Sequence, residues 1–269
     1  MTSDMYSRQS FLGVDAQDTI GAATIGIVGL GGGGSHIVQQ LAHLGVRRFC
    51  IYDPDTVELS NLNRLVGGTT LDALARRSKA AVARRVVDGL HTDAAVSALE
   101  VRWQVEPGPL RACDLIFGCL DTLSDRRELE VCARRFLIPY LDIGLGVTVV
   151  GDEPPRMTGQ VVLSMPGSPC FRCLGFLSER GLAEEAAHYG DAGPRPQVVW
   201  ANGVLASIAV GVGIELLTGW TRHAGRTVYL SYDGNNGTVT QHARLPYVGA
   251  LECSHFPSSE VGDPTFVSL

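Results

Sequence analysis

The segment Thr24-Ile-Gly-Ile-Val-Gly29-Leu-Gly-Gly-Gly-Gly34-Ser35 decides how this chain is expected to fold. Residues 24–29 form a short apolar run that stops in glycines, which is typical of a buried parallel strand. A helix is predicted over 35–44, because its apolar residues recur on one face and Gly45 follows as a natural helix end. A second strand is predicted over 48–52, so the segment opens a βαβ unit.

Strands and helices continue to alternate along the chain. The pattern predicts further strands over 95–103, 114–118, 139–144 and 160–165, and helices over 78–90, 124–136 and 198–217. A hairpin is predicted from 227–232 and 238–244 around Gly-Asn-Asn-Gly. We therefore expect an α/β fold with a Rossmann-like, doubly wound, mostly parallel sheet and a C-terminal antiparallel extension.

The chain of 269 residues is expected to form a single domain over 1–269. Residues 1–150 would form a nucleotide-binding half, and residues 151–269 would form a half for substrate and dimer contacts. Residues 166–196 are rich in Pro, Gly and acidic side chains, so we expect loops there and a flexible insert near 176–196.

Composition excludes several classes of function. The net charge of −6 argues against general binding of nucleic acid or anionic membrane, which needs a basic face. The apolar helix over 198–217 contains Asn202, Ser207 and Glu215, which favours a buried or interfacial helix over a membrane span. The N-terminus has no apolar signal-peptide core, and seven cysteines fit reduced thiols better than a disulfide framework. We expect a cytoplasmic protein without nucleic-acid or membrane partners.

The glycine turn carries the first functional signal. Directly after a strand and before a helix, the pattern G-x-G-x-x-G leaves bare backbone and free N–H groups to approach phosphates. Asp53 ends the second strand 22 residues after Gly31, where a carboxylate can accept hydrogen bonds from ribose hydroxyls. These features predict an adenine nucleotide but do not separate NAD, FAD and ATP.

A dense polar cluster follows, Asp53-Pro-Asp-Thr-Val-Glu-Leu-Ser-Asn61-Leu-Asn63-Arg64. A dehydrogenase does not need such a cluster, whereas the guanidinium of Arg64 and the amides of Asn61 and Asn63 can bind a triphosphate. The alternative is an exposed polar loop with an Asx turn.

With these residues the sequence closely resembles the ThiF/MoeB superfamily of ubiquitin-activating-like adenylyltransferases, from Tyr6 to about His255. The motifs that carry the resemblance are, in order, Tyr6-Ser-Arg-Gln9, Gly29-Leu-Gly-Gly-Gly-Gly34, the cluster over 53–64, Ser78-Lys-Ala80, Gly118-Cys-Leu-Asp121, Pro169-Cys-Phe-Arg-Cys173 and Ile214-Glu-Leu-Leu-Thr-Gly219. Each motif is modest, but their order and spacing together are highly specific.

The resemblance implies roles for these residues. The implied nucleotide-contacting set is Gly29, Gly31, Gly32, Gly34, Asp53, Asn63 and Thr122. The implied catalytic set is Arg8, Asn61, Arg64, Lys79 and Asp121, with Asp121 holding Mg²⁺ beside the reacting phosphate. Arg8 would reach into the ATP site of a neighbouring subunit, which implies a homodimer. As alternatives, Lys79 is a solvated helix residue and Arg8 an ordinary surface charge. The family often has Asn where this chain has Thr122, which keeps a hydroxyl group but loses the amide.

The cysteines allow a metal site. Cys170-x-x-Cys173 has zinc-ligand spacing, and the second cysteine pair that the resemblance implies is here Cys253-Ser-His255. Cys170, Cys173, Cys253 and His255 are therefore the predicted ligands of a structural zinc ion. A degenerate empty site and a redox pair are the alternatives.

The remaining cysteines bear on a thioester. In the resembled family, an enzyme that forms one would carry its cysteine in the insert, and residues 176–196 contain none. Cys50, Cys113, Cys119 and Cys132 lie in or next to predicted strands or helices, where buried thiols are common. We predict adenylation without an obligatory thioester on this chain.

The leading hypothesis is ATP-dependent adenylation of the C-terminal carboxylate of a ubiquitin-like protein with a Gly-Gly tail, which releases pyrophosphate. The activated protein would pass to a sulfurtransferase or to a conjugation carrier. The alternatives are adenylation of a peptide or other small substrate, a nicotinamide-dependent oxidoreductase, and a non-catalytic dimeric binding module. An oxidoreductase does not explain Asn61, Arg64, Lys79 and Asp121 together, and the intact polar set argues against a binding module.

Overall fold

Strands from both halves of the chain lie in one sheet. This computed structural model describes residues 5–149, 151–187, 196–222, 227–248 and 253–256. The strands are β1 (Thr24–Val28), β2 (Arg48–Tyr52), β3 (Ala95–Leu99), β4 (Leu115–Gly118), β5 (Tyr140–Thr148), β6 (Arg156–Ser164), β7 (Tyr229–Asp233) and β8 (Thr238–Gln241). They lie in the order β3-β2-β1-β4-β5-β6-β7-β8.

Helices flank this sheet. They are α1 (Ala16–Ala22), α2 (Gly32–Leu44), α3 (Thr70–Leu74), α4 (Lys79–Asp88), α5 (Leu123–Arg135), α6 (Glu179–Ala187), α7 (Val199–Thr218) and α8 (Leu245–Val248). Short 3-10 helices cover Ser7–Leu12, Leu59–Asn61 and Gly108–Ala112.

The pairing of the strands confirms the predicted fold class. Strands β1 to β5 pair in parallel, and β6, β7 and β8 are added by antiparallel pairs. Strand β4 is buried along its whole length, and β1 is buried from Ile25 onward, as expected for central strands covered on both faces. The order reverses between β1 and β4, so a crevice forms at the C-terminal ends of these two strands.

Several boundaries differ from the sequence prediction. Helix α2 begins at Gly32 rather than at residue 35, because three of the glycines adopt helical backbone. Strand β3 ends at Leu99 and not at residue 103, and the chain then turns across the end of the sheet. Strand β5 continues to Thr148 because it pairs with β6 along its whole length, a long-range contact that local pattern does not encode.

The insert is partly helical. We predicted loops over 166–196, but α6 spans Glu179–Ala187 with the sequence ERGLAEEAA, in which Glu, Leu and Ala favour a helix. Residues 188–195 lie outside the described residues, so the flexibility of the insert stays a prediction.

The long apolar helix α7 is a core helix by its contacts. It packs against α2 and against β5, and 56% of its most apolar window is buried. A Cβ on Gly213 would lie 2.8 Å from the ring of Phe117, so this glycine lets the helix approach the sheet closely. Its length and composition alone would allow a membrane span. The exposed face carries Trp200, Val204 and Ser207.

Candidate active site

A pocket of about 380 Å³ opens at the C-terminal ends of β1, β2 and β4. It brings together most of the predicted site residues, and its lining includes Gly29, Gly31, Gly32, Asp53, Arg64, Lys79, Asp121 and Thr122. Strand order explains this convergence, because residues that end neighbouring parallel strands meet at one edge of the sheet.

The glycine turn contains two kinds of glycine. A Cβ on Gly29, which has φ 90°, would lie 2.5 Å from the carbonyl oxygen of Cys119, and a Cβ on Gly34 would collide with the carbonyl oxygen of Gly29. These two glycines keep the turn tight. A Cβ on Gly31 would meet nothing within 4 Å, and Gly31 and Gly32 line the pocket. Bare backbone at the N-terminus of α2 is suited to a phosphate group.

Asp53 is held in place by the backbone. Its carboxylate accepts hydrogen bonds from the backbone N–H of Leu30, at 2.6 Å, and of Asp55, at 2.9 Å. Asp53 is buried, and burial raises its pKa above the usual range, while Lys79 opposes that rise. An ionised carboxylate here can accept hydrogen bonds from ribose hydroxyls.

Lys79 points into the pocket wall and not into solvent. Its Nζ lies 2.7 Å from the carboxylate of Asp55 and 3.9 Å from that of Asp53, and its side chain is only 11% exposed. The first residue of α4 thus brings a cation next to the predicted ribose site. This arrangement does not fit the alternative of a solvated helix residue.

The polar cluster is only partly in the pocket. Arg64 lines it and donates to the backbone carbonyl of Ser60, at 2.9 Å, and to Oδ1 of Asn63, at 3.0 Å. Asn63 also donates from Nδ2 to the carbonyl oxygen of Gln197, at 3.1 Å. Asn61 accepts from the N–H of Glu58 and thereby closes the 3-10 helix there. Asn61 and Asn63 therefore orient the loop that carries Arg64, and their contact with a triphosphate stays a prediction.

Asp121 and Thr122 lie between β4 and α5. Asp121 is exposed and lines the pocket, and its hard oxygen atoms suit Mg²⁺. Thr122 is the N-cap of α5: its Oγ1 accepts from the N–H of Asp125, at 3.1 Å. Asn and Thr both serve as N-caps, so a threonine can replace the family's usual asparagine without loss of the cap.

Sequence reasoning did not single out one residue that lines the pocket and one that supports its wall. Glu185 of α6 accepts from the N–H of Leu123, at 2.7 Å, and of Ser124, at 2.9 Å, so the insert holds the first turn of α5. No local signal predicts this contact, because the partners lie about 60 residues apart. Asn202 is buried beside Gly32 and donates to the carbonyl oxygen of Val198, at 3.0 Å. A polar residue in an apolar helix was the available signal for it.

A buried ion pair forms another part of the pocket wall. Arg126 of α5 pairs with Asp142 of β5 and also donates to the carbonyl oxygen of Leu120. Tyr140 donates from its hydroxyl to the other carboxylate oxygen of Asp142, at 2.7 Å. The guanidinium therefore joins α5, β5 and the loop before Asp121.

Arg8 does not reach this pocket. It is exposed on the 3-10 helix Ser7–Leu12 and is absent from the pocket lining. Its predicted contact with the ATP site of a second copy stays a prediction.

The predicted zinc ligands come together from two distant segments. Sγ of Cys173 lies 3.7 Å from Sγ of Cys170 and 3.8 Å from Sγ of Cys253. Nδ1 of His255 lies 3.3 Å from Cys173 and 3.5 Å from Cys170, and all four ligand atoms lie within 4.8 Å of one another. A tetrahedron with Zn–S bonds of about 2.3 Å has edges of roughly 3.8 Å, so the four residues fit a zinc ion.

The loop of Cys170 is fixed to α5. Glu130 accepts from the backbone N–H of Phe171, at 2.8 Å. Arg134 donates to the carbonyl oxygens of Ser168, at 2.9 Å, and Pro169, at 3.1 Å. Both side chains are buried and hydrogen-bonded, so α5 fixes the loop that carries Cys170.

The remaining cysteines lie inside the protein. Cys50, Cys113 and Cys132 are buried, and Cys119 forms part of the pocket wall. Burial raises the pKa of Cys132 to about 11 and also raises the pKa of Cys119. A thiol in such surroundings is a poor nucleophile at neutral pH, because the thiolate is the reactive form.

Comparison with known proteins places this geometry in a family. Residues 6–248 match the ThiF family. The chain is 28% identical to the molybdopterin-synthase adenylyltransferase of Escherichia coli, over 85% of this chain and 87% of that protein. It is 30% identical to the sulfur carrier protein adenylyltransferase of Thermus thermophilus, over 78% of each.

Two other similarities are more limited, one in the length that is matched and one in sequence identity. The chain is 33% identical to the mouse adenylyltransferase and sulfurtransferase MOCS3 over 63% of its own length, and the match spans only 36% of that protein. The crystal structure of E. coli MccB with ATP superposes with a TM-score of 0.70, at 18% identity, over 89% of this chain and 71% of that one. At this identity the superposition supports the fold alone.

Proposed function

This chain is an adenylyltransferase that belongs to the ThiF family, and we propose that its substrate is the C-terminal carboxylate of a ubiquitin-like or sulfur carrier protein with a Gly-Gly tail. The observation that carries the proposal is one pocket in which a bare-backbone turn, two cationic side chains and an exposed carboxylate converge. The cations are Arg64 and Lys79, and the carboxylate is Asp121.

The proposed reaction needs charge stabilisation and positioning. A carboxylate oxygen of the substrate forms a bond to the α-phosphorus of ATP, the bond from that phosphorus to the bridging oxygen breaks, and pyrophosphate leaves. Negative charge develops on the pyrophosphate, and Arg64 and Lys79 would stabilise it. Mg²⁺ held by Asp121 would supply further positive charge at the phosphates. The nucleophile is already ionised, so no general base is needed.

The substrate class rests on similarity and on shape. The Thermus relative is named for action on a sulfur carrier protein, and this chain covers most of its length. The pocket beside the glycine turn and α7 must hold a nucleotide and admit the reacting carboxylate at the same time. A tail of two glycines is the slimmest peptide that can enter beside a bound nucleotide.

The proposal extends to the assembly. The enzyme would act as a homodimer in the cytoplasm, with Arg8 of each copy next to the phosphates of the other. Zinc would be structural and would be held by Cys170, Cys173, Cys253 and His255. The adenylated carrier would react further with a sulfurtransferase or a conjugation carrier, without an obligatory thioester on this chain.

Pyrophosphate exchange tests the proposal. Labelled pyrophosphate should enter ATP only when a candidate carrier protein ending in Gly-Gly is present. Arg64→Ala and Asp121→Ala should abolish the exchange, and Arg180→Ala, which changes an exposed arginine of α6, should not. Exchange supported by short peptides but by no carrier protein would contradict the proposed substrate. Exchange that survives the Asp121 and Arg64 changes would contradict the proposed site.

A further inference from the structure

The loop after β3 lies where the base of a bound nucleotide is expected. Arg102, Trp103 and Gln104 belong to this loop and line the pocket. The order β3-β2-β1 places the end of β3 beside Asp53, which follows β2, and the glycine turn follows β1 one strand further on. A nucleotide with its phosphates at the glycine turn and its ribose at Asp53 therefore extends its base towards the end of β3.

The side-chain amide of Gln104 has a fixed orientation. Its Nε2 donates to Oδ1 of Asp125, at 3.0 Å, and to Oε2 of Glu128, at 2.9 Å. Both partners are carboxylates on the first turns of α5, and ionised carboxylates only accept hydrogen bonds. The amino group must face α5, so the carbonyl oxygen Oε1 faces away from it. Within the described part of the chain, Oε1 receives no hydrogen bond.

We infer that Gln104 selects adenine over 6-oxopurines by accepting a hydrogen bond from the exocyclic amino group at C6. This inference rests on the proposed use of ATP. Adenine carries an amino donor at C6, whereas guanine and hypoxanthine carry an oxygen acceptor there. Oε1 accepts a hydrogen bond from the amino group of adenine, but it faces another acceptor in guanine and hypoxanthine. A pocket that pairs a polar group with the correct substrate rejects an analogue that leaves this group unpaired.

Asp125 and Glu128 on α5 keep Gln104 from also recognising an oxygen at C6. An unrestrained glutamine can turn its amide over and donate to an oxygen at C6. In this chain that rotation would place Oε1 against the carboxylates of Asp125 and Glu128 and would remove both hydrogen bonds of Nε2. The cost of the rotation opposes binding of inosine and guanosine triphosphates.

The test measures binding of three nucleotides by titration calorimetry in the presence of Mg²⁺. ATP has an amino group at C6, inosine triphosphate has an oxygen, and purine riboside triphosphate has only hydrogen. Each is titrated into the wild-type protein, the Gln104→Leu variant, and a Gln241→Leu control on the exposed strand β8. A melting curve for each variant confirms that it is folded.

The expected results follow from one lost hydrogen bond. Wild-type protein and the Gln241→Leu control should bind purine riboside triphosphate about 3- to 10-fold more weakly than ATP, and inosine triphosphate more weakly still. Gln104→Leu should weaken the binding of ATP by about the same 3- to 10-fold and leave the affinity for purine riboside triphosphate unchanged. The selectivity for ATP over inosine triphosphate should fall accordingly.

The outcomes separate this inference from the proposed function. If the wild-type protein binds none of the three nucleotides, the proposed function fails and the inference fails with it. If ATP binds but Gln104→Leu preserves the ratio of ATP to inosine triphosphate affinity, only the role of Gln104 is refuted. Wild-type protein that binds purine riboside triphosphate as tightly as ATP also refutes it, and that comparison needs no variant.

Discussion

Alanine at Gly31 and alanine at Gly34 should produce different defects, although the two glycines belong to the same turn. The added Cβ at Gly34 would collide with the carbonyl oxygen of Gly29, which cannot rotate away as a side chain can. The added Cβ at Gly31 meets nothing within 4 Å, and Gly31 lines the pocket. Gly34→Ala should therefore destabilise the fold, and Gly31→Ala should disturb only the phosphate site.

The two effects can be estimated. Overpacking typically costs about 1–3 kcal/mol, and we expect Gly34→Ala to reach about 3 because the obstacle is backbone. Each kcal/mol shifts the melting temperature of a protein of this size by about 2–4 °C, so the loss should be about 6–12 °C. ATP at about 100 times its dissociation constant adds about 2.7 kcal/mol, and so should raise the melting temperature of the wild-type protein by about 5–11 °C.

Thermal melts with and without ATP and Mg²⁺ distinguish these outcomes. Gly31→Ala should melt within about 2 °C of wild type when unliganded and lose most of the rise caused by ATP, because its methyl group occupies the space for a phosphate. Gly34→Ala should melt early in both conditions. A Gly34→Ala variant as stable as wild type, or a Gly31→Ala variant with an undiminished response to ATP, would refute this division of the glycines.

Four further predictions concern the surroundings of the pocket. Glu185→Ala removes the acceptor that caps α5, a change that typically costs about 1 kcal/mol, and should raise the Mg²⁺ concentration needed for half-maximal pyrophosphate exchange several-fold. Glu184→Ala on the same helix serves as the control, and an equal effect of both would contradict the role of Glu185. Burial raises the pKa of Asp53 above its usual range, and protonation removes the acceptor for the ribose hydroxyls. The affinity for ATP should therefore weaken as the pH falls through this pKa. Titrations of Asp53→Asn should lack this pH dependence. Metal analysis should find one zinc per chain, and a strong chelator should lower the melting temperature of the wild-type protein, whereas Cys253→Ser should melt at that lower temperature without chelator. Iodoacetamide should label Cys119 slowly at pH 8, because burial raises the pKa of its thiol, and fast labelling that ATP does not prevent would show that the pocket wall opens.

The sequence predicts the parts of the site that depend on neighbouring residues. The strand, the glycine turn and Asp53 follow one another within about 30 residues, and local pattern is sufficient to place them at one edge of a parallel sheet. The predicted zinc site combines Cys170 with His255, and only the resemblance to a family predicted that these distant segments come together. Their ligand distances then agree with a tetrahedral site.

The contacts missed by sequence depend on tertiary packing. Glu185 reaches the first turn of α5 from an insert in which the pattern predicts loops. Gln104 directly follows the segment 95–103 that is predicted as a strand, and its inferred role depends on two carboxylates of α5 that the local pattern does not bring near. Thr122 stands out in the sequence as a departure from the family, but only the geometry shows that its hydroxyl group preserves the helix cap. Glu185 and Gln104 each contact a helix that lies elsewhere in the sequence, and no local period encodes such a pair.

Helix α5 connects most of these contacts. Its first turn follows Asp121 and is capped by Thr122 and Glu185, and its first two turns carry the carboxylates that orient Gln104. Towards its other end, Glu130 and Arg134 hold the loop of Cys170. Its 13 residues span about 20 Å, and a packed helix of that length is stiff. The loop of Cys170, the insert and the loop of Gln104 therefore all contact one stiff helix, which also sets the position of Asp121. The predicted zinc ion at one end would thus affect catalysis at the other without any contact with the substrate.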